Sequence, residues 1–353
     1  MVAAITIGVA AMTLGGGMGA APALTNAWMV ATSPTPATAA RQASVMRAGR
    51  ESEKRVEAPV TVRGARTVPQ ARRRAKARHG AAPDPNRLTS EPASGNVRRM
   101  PPLDVPWRFA IVVGASSGIG AAVARQLAAG GARVALVARR AAELEAVAGA
   151  IRESTGDPAR ALVFPHDVTK GDEVTALLQR ICHDLGGLDL LVYAAGIMPR
   201  IGADEYDLEK DRAIVDVNVV GAMAWGNAAA TRFARARAGT IVGISSVAGD
   251  RGRRGNPAYH ASKAALDAYL EAVRNRVGQL GVHVVTVKPG PVDTPMTKGM
   301  DRLPLLVSAD AAATALLAGA ARGRQTVYVP GTWRPIMFLL RNIPSFVFRR
   351  LDI

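Results

Sequence analysis

Phe109-Ala110-Ile111-Val112-Val113-Gly114-Ala115-Ser116-Ser117-Gly118-Ile119-Gly120 is the stretch that decides how this chain folds. Its first five residues are all apolar, a pattern that suits a short strand covered on both faces. Three glycines follow, and from Ile119 the period lengthens so that Ile119, Val123 and Leu127 fall on one side of a helix. A strand that turns through glycines into a helix N-terminus lets backbone N–H groups approach a phosphate, and the helix dipole favours negative charge there. Gly114, Ser116, Ser117, Gly118, Ile119 and Gly120 are therefore the expected cradle.

Working outward, the same alternation continues to the end of the chain. Strands are predicted at 133–138, 161–164, 188–193, 240–244, 282–287 and 326–329. Helices are predicted at 141–153 and 172–185, in a long segment ending near Ala234, and from Pro257 and Ala309. Seven strands joined by helical crossovers imply an α/β fold: a single Rossmann-like domain with a doubly wound parallel sheet flanked by helices. Ligands of such sheets bind at the carboxyl ends of the strands, so those ends are where chemistry is sought.

The chain has 353 residues, room for one domain of ordinary size and an extension. Its net charge of +17 is unevenly spread, with 15 Lys and Arg against 5 Asp and Glu up to Arg99, and 30 against 23 beyond it. The pattern divides the chain into a basic, low-complexity extension at 1–99, predicted to be disordered, a catalytic domain at 100–332, and an amphipathic basic tail at 333–353. Arg72, Arg73, Arg74, Lys76 and Arg78 form a basic run without interleaved aromatics, so a solvated arm is favoured over a nucleic-acid partner. Met1 to Val30 carries no charge, but glycines and polar residues dilute it as a membrane span. The first basic residue, Arg41, comes too late for a secretory signal, and Met100 stands just before the domain and could itself be the start. Cys182 is the single cysteine, which excludes an internal disulfide and fits the cytoplasm.

The second predicted strand ends in Val137-Ala138-Arg139-Arg140, where an NAD site would place a carboxylate on the ribose 2′-hydroxyl. Arg139, supported by Arg140, would instead pair with a 2′-phosphate. NADP is expected in preference to NAD.

Asn256-Pro257-Ala258-Tyr259 opens a helix with an Asn cap and a proline in the first position. Lys263 follows Tyr259 by one turn, which stacks the two side chains on one face and lets an ammonium favour the phenolate. Ser246, thirteen residues before Tyr259, sits at the carboxyl end of a predicted strand. Three polar groups thus converge.

With these residues in place, the sequence resembles the short-chain dehydrogenase/reductase family in its smaller form. The motifs are Gly114-x-x-x-Gly118-x-Gly120, Asn218 in Val217-Asn218-Val219-Val220-Gly221, Ser246, Tyr259-His260-Ala261-Ser262-Lys263 and Pro289-Gly290-Pro291-Val292-Asp293-Thr294. They fall in the family's order between about Pro106 and Pro330. The resemblance implies that Tyr259 protonates the developing alkoxide and Ser246 polarises the carbonyl. Lys263 would lower the tyrosine pKa and contact the nicotinamide ribose, and Asn218 would position a water in the proton relay. It further implies cofactor contacts from Asp167 and Val168 at the adenine, from Ala195 and Gly196, and from Pro289, Gly290, Val292 and Thr294 at the nicotinamide. Val113 and Tyr193-Ala194-Ala195-Gly196 depart from the family pattern and lose hydrogen-bonding groups that brace the sheet.

Two other classes share parts of this pattern, a sugar-nucleotide epimerase or dehydratase and a non-catalytic NADP sensor or scaffold. The short region after Thr294 argues against the first, and the intact acid/base set against the second. His79, His166, His183, His260 and His283 have no metal-ligand spacing with Cys182, so no metal is expected. Arg251, Arg253 and Arg254 read as a solvated loop in preference to an acidic-substrate contact. The tail from Trp333 could pack against another subunit, cover the cleft or lie on a membrane surface. A homo-oligomer acting on a mostly apolar carbonyl or alcohol is the expectation, in the cytoplasm or at a membrane through the tail.

Overall fold

β1 (Phe109–Val113) lies in the middle of the sheet, paired in parallel with β2 (Arg133–Ala138) on one side and β4 (Leu190–Tyr193) on the other. The computed structural model describes residues 105–351 apart from Ala203. The expectations for residues 1–99, including the apolar stretch from Met1 to Val30, lie outside the described residues. β3 (Ala161–Pro165) flanks β2, while β5 (Gly239–Ile244), β6 (Val282–Pro289) and β9 (Thr326–Val329) follow β4. All seven strands expected from the apolar runs are present, in the order β3-β2-β1-β4-β5-β6-β9 and parallel throughout. Because the strand order reverses between β1 and β4, a crevice opens at their carboxyl ends. A second, two-stranded piece pairs β7 (Val292–Asp293) with β8 (Val307–Ser308) and carries the chain between them back toward that crevice.

The apolar run of β1 is explained by burial on both faces. Ala110 and Val112 point into a layer with α1 (Gly118–Ala129), α2 (Ala141–Thr155) and α7 (Ala309–Ala321). Ile111 and Val113 point into the opposite layer, with α3 (Val174–Leu185), α5 (Gly221–Ala236) and α6 (Pro257–Val277). Successive residues of a strand face opposite sides, so one five-residue strand serves two cores.

The long helix expected to end near Ala234 is broken into α4 (Leu208–Val215), a π turn (Asp216–Val220) and α5. Turns of that kind recur at functional sites, and this one carries the fully buried Asn218. The span from Leu208 to Ala236 is long and apolar enough to cross a membrane. In the fold it buries Trp225, Ala229 and Phe233 in the second core layer.

The tail forms α8 (Trp333–Asn342) and α9 (Ser345–Phe348). Trp333 and Met337 are buried against Val247. The loop expected to be solvated holds this tail instead. Arg251 donates to the carbonyls of Leu340 and Arg341 at 3.2 and 2.8 Å and stacks 4.2 Å over the Phe348 ring, while Arg254 donates to the Arg349 carbonyl at 2.8 Å. Guanidinium groups with several donors suit unpaired carbonyls near helix ends, a fit that spacing along the chain does not reveal.

Candidate active site

The turn after β1 has positive φ at Gly114 and Gly118 (89° and 56°), conformations that L side chains rarely adopt. A Cβ on Gly114 would lie 2.5 Å from the backbone nitrogen of Ala195, so the turn presses directly on the chain leaving β4. A Cβ on Gly118 would lie 3.1 Å from the Thr294 methyl group, which brings the segment after β7 to the same rim. Ser117 makes no side-chain capping bond to α1, so the first N–H groups of that helix are not closed off by it. The turn thus presents an uncapped helix start between two glycines pressed close to neighbouring segments.

At the end of β2 the two arginines divide. Arg140 reaches across the turn and donates to the hydroxyls of Ser116 and Ser117 at 2.8 and 3.1 Å, with Glu143 at 3.2 Å on its other side. Arg139 lies 3.9 Å from Asp167 and is otherwise exposed. Burial raises the Asp167 pKa, but hydrogen bonds from the Thr169 amide and hydroxyl and the charge of Arg139 outweigh it and hold the carboxyl below the usual range.

Ser246 lies two residues beyond β5, where its hydroxyl accepts from the Ala248 amide at 3.1 Å and faces the Pro289 carbonyl at 3.4 Å. Asn256 caps α6 as expected, its side chain accepting from the Tyr259 amide at 3.0 Å and fixing Tyr259 in the first turn. Burial pushes the Tyr259 phenol up, while a hydrogen bond with Ser246 and the charge of Arg253 pull it back. Lys263 sits one turn later with its ammonium nitrogen 3.0 Å from the Ile244 carbonyl and 5.6 Å from the centre of the Tyr259 ring. Burial lowers Lys263 to about 8, against the opposing charge of Asp267. Ser246 and Arg253 are the groups that pull the phenol down here.

Asn218 stands behind the cleft wall. Its side-chain oxygen accepts from the Ile197 amide at 2.8 Å, and its nitrogen donates to the Ile197 carbonyl and the Ser262 hydroxyl, both at 3.1 Å. The departure at Tyr193 is compensated. Its phenol donates to the Val217 carbonyl at 2.5 Å and ties β4 to the π turn that carries Asn218. The loss of bracing expected from Tyr193-Ala194-Ala195-Gly196 is thus corrected for Tyr193.

Sequence reading also missed a buried ionic cluster under α6. Lys288 contacts Asp250 at 2.6 Å and Asp267 at 2.9 Å, and the Tyr328 hydroxyl donates to Asp250 at 2.9 Å. It joins β6, β9 and the catalytic-side loop to the helix bearing Lys263. No local signal could have found it, because its members are far apart in the chain.

One cleft of about 1000 Å³ gathers these groups. Of the expected catalytic and cofactor-binding residues, all line it except Asp167 and Asn218. Its lining also includes the apolar side chains of Met198, Ile201, Met296, Met300, Leu303 and Trp333. Among the described residues no three His, Cys, Asp or Glu side chains gather as a metal site. Cys182 is buried in α3, as its place in an amphipathic helix implied.

Comparison with known proteins bears on this arrangement directly. The family profile described as short chain dehydrogenase matches residues 108–303. The chain belongs to the short-chain dehydrogenase/reductase family. Among relatives of this short-chain dehydrogenase, an uncharacterized oxidoreductase of Streptomyces coelicolor is 36% identical over 70% of this chain and 97% of its own. The cis-4-hydroxycyclohexanecarboxylate dehydrogenase of Sinomonas cyclohexanicum is 35% identical over 68% of this chain and 92% of its own. Among solved structures, a short-chain dehydrogenase from Sphingobium yanoikuyae in complex with NADPH superposes with a TM-score of 0.59 at 26% identity, covering 67% of this chain and 97% of that one. A variant of actinorhodin polyketide ketoreductase with NADPH gives 0.58 at 26% identity, over 63% and 95%. The chain is thus an oxidoreductase of this family, with a Rossmann-type nicotinamide-cofactor fold.

Proposed function

We propose that the protein uses NADP(H) in preference to NAD(H) to interconvert a carbonyl and an alcohol on a small, mostly apolar molecule, with Tyr259 as general acid/base. The observation that carries this reading is the meeting of Ser246, Tyr259 and Lys263 in the cleft that begins at the glycine turn. The NADPH-bound state of two similar structures and the ring-alcohol chemistry in the name of one relative support it.

The nicotinamide supplies or accepts the hydride. The chain does the rest. The backbone from Gly114 to Gly120 binds the pyrophosphate, and Arg139 and Arg140, with Ser116 and Ser117, take the 2′-phosphate. Asp167 and Val168 border the adenine, Ala195 and Gly196 underlie the ribose, and Pro289, Gly290, Val292 and Thr294 orient the nicotinamide side. Ser246 donates to the substrate oxygen and Tyr259 delivers a proton to it. Because burial keeps the phenol protonated, the resting tyrosine is equipped to give a proton, which suits reduction. Lys263 contacts the ribose hydroxyls, and Asn218 acts by fixing the loop at Ile197 and Ser262 behind the reacting groups.

The test is consumption of NADPH and NADH by the full chain over a panel of ketones, aldehydes and quinones. Turnover of at least one carbonyl, with kcat/KM favouring NADPH, is expected. Tight cofactor binding without turnover of any member would contradict the assignment.

A further inference from the structure

Among the described residues that line the cleft, one cation has surroundings that do not account for it. Arg253 lies in the loop between Ser246 and Tyr259, lines the cleft and is half-buried. Its Nε is buried with no hydrogen-bond partner, and Arg253 makes no hydrogen bond or ion pair with any described residue. The neighbouring cations differ. Arg200 is committed to the carbonyls of Lys298 and Gly299 at 3.2 and 2.9 Å, Lys263 to Ile244, and Arg140 to Ser116 and Ser117. Arg302 is exposed. Burying Nε without a partner is unfavourable, and the two terminal nitrogens, which are not buried, remain open to an anion able to meet the planar fork. Arg253 shares the cleft lining with Ser246 and Tyr259, so an anion paired with it occupies the same cleft as the proposed reacting groups.

We propose that Arg253 is the specificity-determining anchor of the substrate end of this cleft and selects carbonyl or alcohol substrates that carry a carboxylate near the reacting carbon. The assignment rests on this cleft being the active site. It narrows an otherwise apolar pocket to amphiphilic acids: a hydrocarbon body against Met198, Met296 and Trp333, with a carboxylate at Arg253.

The probes are phenylglyoxylate and its methyl ester, which share the ketone and differ in charge. Calorimetric titration into the full chain with NADP⁺ reads binding without reduction. The acid is expected to bind at least about tenfold more tightly than the ester, consistent with one charge-assisted hydrogen-bonded pair. Arg253→Met should abolish that difference, leaving ester affinity within about threefold, and Arg253→Lys should recover part of it. Equal binding of acid and ester by wild type, absence of binding by both, or a preference that persists in Arg253→Met would each overturn the proposal. So would an Arg253→Met variant that reduces acid and ester equally slowly with a displaced pH optimum, which would make Arg253 a positioning residue acting through Tyr259. Failure of the catalytic reading shows elsewhere, as a Tyr259→Phe variant with undiminished NADPH oxidation, and leaves the binding contrast untouched.

Discussion

A lysine held out of water, as Lys263 is, keeps its proton with difficulty, and burial brings it to about 8. The charged form that attracts an anionic cofactor is therefore present below pH 8 and lost above it. NADPH affinity, read by fluorescence between about pH 6.5 and 9.5, is expected to fall as pH rises through 8, and Lys263→Met should flatten that slope. At the other end of the site, Arg139→Asp together with Arg140→Ser should move the preference from NADPH toward NADH by about 100-fold in the ratio of kcat/KM values, since the proposed reading gives each arginine a charge-assisted contact with a 2′-phosphate. An unchanged ratio would assign cofactor choice elsewhere. Tyr259 and Lys263 were legible in the sequence because their relation is local, one helical turn apart on a capped helix. Arg253 was read there as part of a solvated loop ahead of an acidic-substrate contact, because its partial burial and lack of partners follow from the fold and not from spacing along the chain.

At the scale of elements, the π turn, β4 and α6 form a unit held by few bonds. The Tyr193 phenol secures the Val217 carbonyl, and Asn218 secures Ile197 and Ser262. Tyr193→Phe leaves that carbonyl buried without its donor and is expected to cost about 1–3 kcal/mol in chemical denaturation, with cofactor binding weakened in parallel. The ionic cluster behaves differently. Lys288→Met strands the carboxylates of Asp250 and Asp267 in a nearly dry site, for which about 3–5 kcal/mol is the expected loss, whereas replacing exposed Arg125 beside Asp310 should change stability by less than about 1 kcal/mol. Helix caps and strand cores followed from the sequence because they repeat local rules, as Asn256 and the run from Phe109 show. The π turn and the cluster at Lys288 depend on contacts between distant segments, and no periodicity announces them.

For the described domain, two apolar layers and a parallel sheet set the carboxyl ends of β1, β4, β5 and β6 around one cleft, which Tyr259 and Lys263 enter from α6. The alternation of apolar runs with amphipathic stretches was sufficient to read that plan, since a strand covered on both faces and a helix covered on one leave different patterns. The tail was not readable in the same way. Its residues suited a subunit contact, a cleft cover or a membrane surface, and the fold commits Trp333 and Met337 to the cleft side while Phe338, Leu339 and Phe346 face outward. The chemistry of the cleft is tested most directly by comparing wild type with Tyr259→Phe in the full chain, reading NADPH binding and carbonyl-dependent NADPH oxidation side by side. Binding within about threefold of wild type with a rate reduced by at least about 100-fold is the predicted result, the size expected for a lost general acid. A phenylalanine variant that turns over carbonyls at the wild-type rate would contradict it.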